Sequence, residues 1–174
     1  MADPGRDAAS PLDVETGDLR LDDPDVVLGR SFTRSQFEAL PEAARASMTS
    51  GPHHRDECTV GGEPFHVSVQ FDGERLARVY LSAAGERFRD ASWMNYDIEG
   101  FRSTHDEVLA RWNGRQGKAR LPEKWPIGSL EWTYDWGAVG SYCEPQDMAA
   151  QITIFYNRRL RDVVRWPRAT APLR

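Results

Sequence analysis

Seven residues impose the strongest constraint on what this chain can fold into. Phe65, Val67, Val69 and Phe71 alternate with His66, Ser68 and Gln70, the two-residue period of a strand with one buried and one wet face. Asp72-Gly73 follows, a pair suited to the positive φ angles of a tight hairpin turn. Arg75–Leu81 then supplies a partner strand, and Glu57-Cys58-Thr59-Val60 joins the other side through Gly61-Gly62. The result is an antiparallel meander with one apolar face. Whatever else the chain builds must cover that face.

The next pattern supplies the cover. Ile98, Phe101, His105, Val108, Leu109 and Trp112 recur at spacings of three and four, one apolar stripe on a helix. Asp97 is placed to cap its start and Gly114 to end it in the left-handed conformation. A short earlier helix opens at Thr33, where Gln36 completes a capping box and Phe32 and Phe37 form a hydrophobic staple. Pro41 interrupts it and is suited to open another turn over Glu42–Ala46. Strand alternation returns at Trp132, Tyr134 and Trp136, and again at Ile152, Ile154 and Tyr156. A loop through Glu144-Pro145-Gln146-Asp147 joins the two. The expected class is α+β: an antiparallel sheet of about five or six strands, with one long helix and one short N-terminal helix packed on it.

Charge divides the chain further. Residues 1–25 carry eight acids against Arg6 and Arg20, and residues 157–174 carry six arginines against Asp162. The expected organisation is an acidic, partly disordered segment over 1–25, a single domain over 26–160 and a basic tail over 161–174. Exposed ion pairs are worth only about 0–1 kcal/mol each, so the two ends are read as solvated tails. The net charge of −5 argues against a general nucleic-acid binder, which needs a basic footprint to neutralise phosphates. No apolar run is long enough to span a membrane, and the start lacks a basic segment followed by an apolar core, so no export signal is expected. Cys58 and Cys143 are the two cysteines; without export, two reduced thiols are expected. The expected location is cytoplasmic.

Each chemical candidate has a plainer account. His53-His54-Arg55-Asp56-Glu57-Cys58 gathers metal-ligating residue types, with His66 able to approach across the hairpin. Adjacent histidines do not readily point at one ion, however, and no second spaced pair completes a ligand set. No metal or other cofactor is expected. His105-Asp106 cannot act as a dyad, because helical neighbours point about 100° apart; His105 falls on the apolar stripe and is expected to donate into the core. Gly137 and Gly140 lie within a strand pattern and mark a place where another backbone approaches. No familiar nucleophile, phosphate-loop or dinucleotide motif is present, and the reading leans away from an enzyme. Trp132, Tyr134 and Trp136 share a strand face and are expected to fill the core, with Trp136 also a candidate binding residue. Glu131 and Asp135 on the other face, with Glu144 and Asp147 in the next loop, form an expected acidic rim suited to a basic partner.

Leu28-Gly29 before Phe32-Thr33, the hairpin Phe71–Leu76, Trp93 before His105-Asp106, and Trp136-Gly137 before Ser141-Tyr142 and Ile152-Thr153-Ile154 together resemble small bacterial proteins of immunity-protein type. The resemblance covers residues 28–156 and matches no functional residue. It implies a binding protein without a cofactor that neutralises a cognate toxin. The residues expected to meet a basic toxin domain, Glu131, Asp135, Trp136, Glu144 and Asp147, come from the strand and loop pattern above and not from the resemblance. The alternative is a small enzyme or ligand-binding domain with a pocket between helix and sheet, formed by His105, Trp112, Tyr134 and Ser141. A third reading is an oligomer that pairs an exposed edge strand, leaving monomer and homodimer both open.

Overall fold

A computed structural model describes residues 10–49, 56–85, 98–114, 118–120, 129–144 and 149–156. The tail expected over 161–174, His53, His54, Asp97 and Asp147 lie outside them. Strands β1 (Leu19–Leu21) and β2 (Val26–Leu28) lead to two short helices, α1 (Arg34–Glu38) and α2 (Glu42–Ser47). Three strands follow: β3 (Cys58–Val60), β4 (Glu63–Asp72) and β5 (Arg75–Ala83). The long helix α3 (Ile98–Asn113) precedes β6 (Lys118–Arg120), β7 (Ser129–Thr133), β8 (Ala138–Glu144) and β9 (Ala149–Phe155).

β1 and β2 form a two-stranded hairpin, and the other seven strands make one sheet in the order β3-β4-β5-β9-β8-β7-β6. All its pairings are antiparallel. The α+β class and antiparallel sheet are therefore as the alternation implied. Two local meanders, β3–β5 and β6–β9, are joined edge to edge by β5 and β9. Their shared face buries Phe65, Val67, Val79, Leu81, Ile152, Ile154, Val139 and Trp132. α3 packs across β5, β9 and β8, and Trp112 meets the Phe65 ring at 5.8 Å.

Local details follow the sequence in most places. Thr33 and Gln36 form both halves of the capping box, while Phe32 and Phe37 each meet Phe71. Gly61 and Gly62 turn β3 into β4 with φ of +59° and +80°. The next turn falls one residue later than Asp72-Gly73. Asp72 pairs with Arg75, leaving Gly73-Glu74 as the turn. The cause is an irregularity at Gln70/Phe71, which gives β5 an extra residue and buries both Leu76 and Ala77.

Two stretches depart further. The single strand expected over Trp132–Trp136 ends at Thr133, because Tyr134 and Gly137 exchange backbone hydrogen bonds and close a tight turn. β8 then begins as a separate strand, which enlarges the sheet. The acidic segment also enters the fold: Leu12, Leu19 and Leu21 are no more than 2% exposed, and β1 and β2 bracket the junction expected after residue 25. Asp23 and Thr59 bridge this hairpin to the outer edge of β3.

His105 has an unexpected role. Its side chain is 0% exposed, and its Nε2 accepts a 2.9 Å hydrogen bond from the Ala83 N–H. It was expected to donate. The pairing of β5 with β9 stops at Leu81 and Ile152, so the Ala83 N–H has no strand partner and the imidazole replaces one. Burial lowers the His105 pKa from 6.5 to about 4. The unfolded chain thus binds a proton that the folded chain refuses. The associated stability is fully present above pH 6.5 and is lost as pH falls towards about 4, where the loss amounts to about 3 kcal/mol. His105→Gln keeps an acceptor but cannot titrate. Urea unfolding from pH 7 to 4 should show the variant gaining about 3 kcal/mol relative to the parent chain; a constant difference would mean that His105 does not set this slope.

Candidate functional site

One end of the sheet gathers loops from several parts of the chain. There the β7–β8 turn, the β4–β5 hairpin and the end of β9 meet Thr16–Asp18 and Arg30-Ser31. They enclose an open cleft of about 920 Å³. Its charged lining is Asp18, Asp72 and Asp135 with Arg30 and Arg75. Asp72, Asp135, Arg30 and Arg75 are exposed and Asp18 is half-buried. Charges of both signs therefore stand on a floor made by Leu76, Ala77, Trp136 and Tyr156.

The floor is tightly anchored. Trp136 stacks on Tyr134 at 5.0 Å with 8° between planes and leans on Tyr156 at 6.0 Å. Its Nε1–H donates to the Val14 carbonyl at 3.0 Å. Gly17, at φ +82°, passes so close that a Cβ there would lie 2.4 Å from the indole; only glycine allows this approach. Tyr134 in turn donates to Asn113 Oδ1 at the end of α3. The Tyr156 hydroxyl donates to the Leu28 carbonyl at 3.0 Å. Burial, and secondarily the charge of Asp18, push this phenol well above its ordinary range, so it remains a donor.

Gly137 fixes the height of the turn that carries Asp135. A Cβ at this position would lie 1.8 Å from the Phe155 carbonyl oxygen, the backbone approach expected there. At Gly140 the close neighbour is instead the Tyr142 ring, at 2.8 Å.

The structure separates the expected acidic rim. Asp135 and Trp136 are in the cleft. Glu131 is 5% exposed on the sheet face opposite α3, where it accepts hydrogen bonds from Tyr142 (3.0 Å) and Thr133 (3.2 Å). It cannot serve as an open rim charge, because the sheet covers it and two hydroxyls hold it. Glu144 ends β8, while Asp135 precedes the start of that strand. A seven-residue strand puts them about 20 Å apart.

The other candidates also part company. Cys58 is buried and pairs with Phe65, so it lies on the face opposite exposed His66. Its Sγ donates to the Ser47 carbonyl, and burial raises its pKa. Among the described residues no group of three or more His, Cys, Asp or Glu could hold a metal ion. His105, Trp112 and Ser141 are buried, and neither described cavity reaches them. Asp18, Arg30, Asp72, Arg75 and Tyr156 were not singled out by sequence, since they come from four separated segments and share no local motif.

No family model matches the chain, and neither a curated protein nor a solved structure matches it.

Trp136 tests whether the cleft floor is a structural anchor. Trp136→Ala should cost about 3–5 kcal/mol, and Trp136→Phe, which keeps the stack but loses the bond to Val14, about 1–2 kcal/mol. Urea denaturation measures both. Equal losses would mean that the ring stack contributes little.

Proposed function

We propose that this chain is a non-catalytic cytoplasmic binding protein of immunity or inhibitor type, and that it engages a toxic partner through the cleft at the loop end of the sheet. The supporting observation is the combination of exposed Asp72, Asp135, Arg30 and Arg75 with a floor held by Trp136 and Tyr156. Charged groups on anchored loops need little ordering when a partner docks, which favours affinity. Carboxylates at such a site steer a basic partner towards it and hold its orientation. Inhibition then needs only steric cover, and an interface of roughly 1,200–2,000 Å² is enough. No helix among the described residues is long and apolar enough to cross a membrane. No described cavity favours the alternative pocket around His105.

The test uses the full chain as bait in lysate of its own host. The expected capture is one stoichiometric protein that arrests growth when produced alone and is silent when produced with this chain. Asp135→Lys should weaken that complex at least about tenfold, mostly by slowing association, with a smaller effect at high salt. Glu144→Lys, at the far end of β8, should change it little. Equal effects from the two reversals would remove the cleft from the interface, and a captured protein without toxicity would overturn the immunity reading.

A further inference from the structure

The cleft holds its opposite charges apart. Loop 13–18 is closed on itself: the Asp13 carboxylate accepts from the N–H groups of Glu15 and Thr16 at 2.8 and 3.2 Å, and the Asp18 N–H donates to the Thr16 hydroxyl at 3.2 Å. The Asp18 carboxylate is thereby set against the backbone of Gly29, so close that a Cβ there would lie 1.9 Å from its Oδ1. Gly29 opens a tight turn, closed by the Phe32 N–H on its carbonyl at 2.9 Å, with Arg30 and Ser31 at its centre. Thr33 follows and bridges to Arg75, which faces Asp72 across the β4–β5 hairpin.

Asp18, Arg30, Arg75 and Asp72 thus follow one another along a continuous run of backbone contacts. None of the four side chains forms an ion pair or hydrogen bond with a described residue. Opposite charges do meet elsewhere, Arg20 with Asp25 at 3.4 Å and Arg111 with Glu63 at 2.9 Å. Asp18 is half-buried and shares the cleft lining with Trp136 and Tyr156. A carboxylate in such a place is poorly hydrated and attracts a cation more strongly than one in open water. Arg30 and Arg75 are exposed, and their guanidinium forks suit a carboxylate. A purely basic partner would satisfy the aspartates and be repelled by both arginines; a purely acidic one would meet the converse.

On the reading of this cleft as the docking site, we infer that it receives a segment carrying one basic and one acidic side chain close together. The basic group meets Asp18, and the acidic group meets Arg30 and Arg75. The apolar floor at Leu76 and Ala77 takes the aliphatic stem of the basic side chain. Loop 13–18 and the turn at Gly29 are already closed by their own hydrogen bonds, so little ordering opposes binding. The two signs also fix direction. A segment entering the other way round would set like charges against each other, which rejects that orientation.

NMR titration of the full chain tests this with peptides blocked at both ends, each holding one arginine and one aspartate separated by none, one or two glycines. Blocked arginine and blocked aspartate serve as single-charge probes. At least one peptide should bind about tenfold or more tighter than either probe and shift the Gly17, Gly29 and Trp136 indole N–H signals. Asp18→Asn and Arg30→Gln should each remove that advantage. Arg111→Gln changes the net charge equally at the opposite end of β4 from Asp72 and should leave it intact. Circular dichroism reports whether each variant is folded, and Arg30, exposed in a turn, carries the test should Asp18→Asn unfold. Absence of peptide binding overturns the inference, as does blocked arginine binding as tightly as the best peptide. A captured toxic partner whose complex is tightened by Arg30→Glu would keep the cleft as docking site and also overturn it. Failure of the docking reading looks different: the peptides bind as expected, and Asp135→Lys leaves the partner's complex unchanged.

Discussion

The pairing of β5 with β9 holds the molecule together. Each meander is local, and each would form a sheet with its own unsatisfied edge and its own half-covered apolar face. Only Arg78–Leu81 against Ile152–Phe155 turns two small sheets into one broad enough for α3 to cover. The seam is short and joins segments far apart in sequence, so loop closure opposes it. Its reinforcement is correspondingly dense. Val79, Leu81, Ile152 and Ile154 are fully buried at its centre, the Tyr156 N–H extends it by bonding to the Ala77 carbonyl, and His105 closes its other end.

The cleft is a by-product of that seam. Past Tyr156, β5 continues with segment 32–34 as its neighbour, through the Leu76 N–H to Phe32 carbonyl bond and the Thr33–Arg75 bridge. Here the sheet changes partners, and loops from both meanders and from the N-terminal segment must meet. Trp136 fills the space between them. The same burial that secures the junction therefore sets the positions of Asp72, Asp135, Arg30 and Arg75 around it. Architecture and candidate site are not separable at this end of the sheet.

Much of this was legible in the chain. Alternation located β4, β5 and β9, the three-four spacing located α3, and the Thr33–Gln36 pair located the first short helix. These signals are local and depend on one periodicity each. The β7–β8 hairpin was less legible because Trp132, Tyr134 and Trp136 keep their alternation through a turn: stacking of Tyr134 on Trp136 continues the apolar pattern after the strand has ended. β1 was obscured by its acids, since Leu19 and Leu21 are only two inward residues among charges. The acidic rim failed for a topological reason. Glu131 and Asp135 share parity, but a turn separates them, and Glu144 is displaced by the whole of β8. The cleft charges come from segments that only the seam brings together, and no single window of sequence contains them.

His105 gives this fold a gauge of register. A slip of one residue between β5 and β9 would turn every apolar side chain of a meander to the wrong face, an error that burial alone rejects. A slip of two residues is subtler, because it preserves the faces. It would carry Ala83 into the ladder, where its N–H would find a carbonyl on β9, and the imidazole on α3 would be left buried with an empty acceptor. The helix keeps the Nε2 acceptor satisfied only on the correctly aligned seam, so a single side chain on the covering layer proofreads the alignment of the layer beneath it.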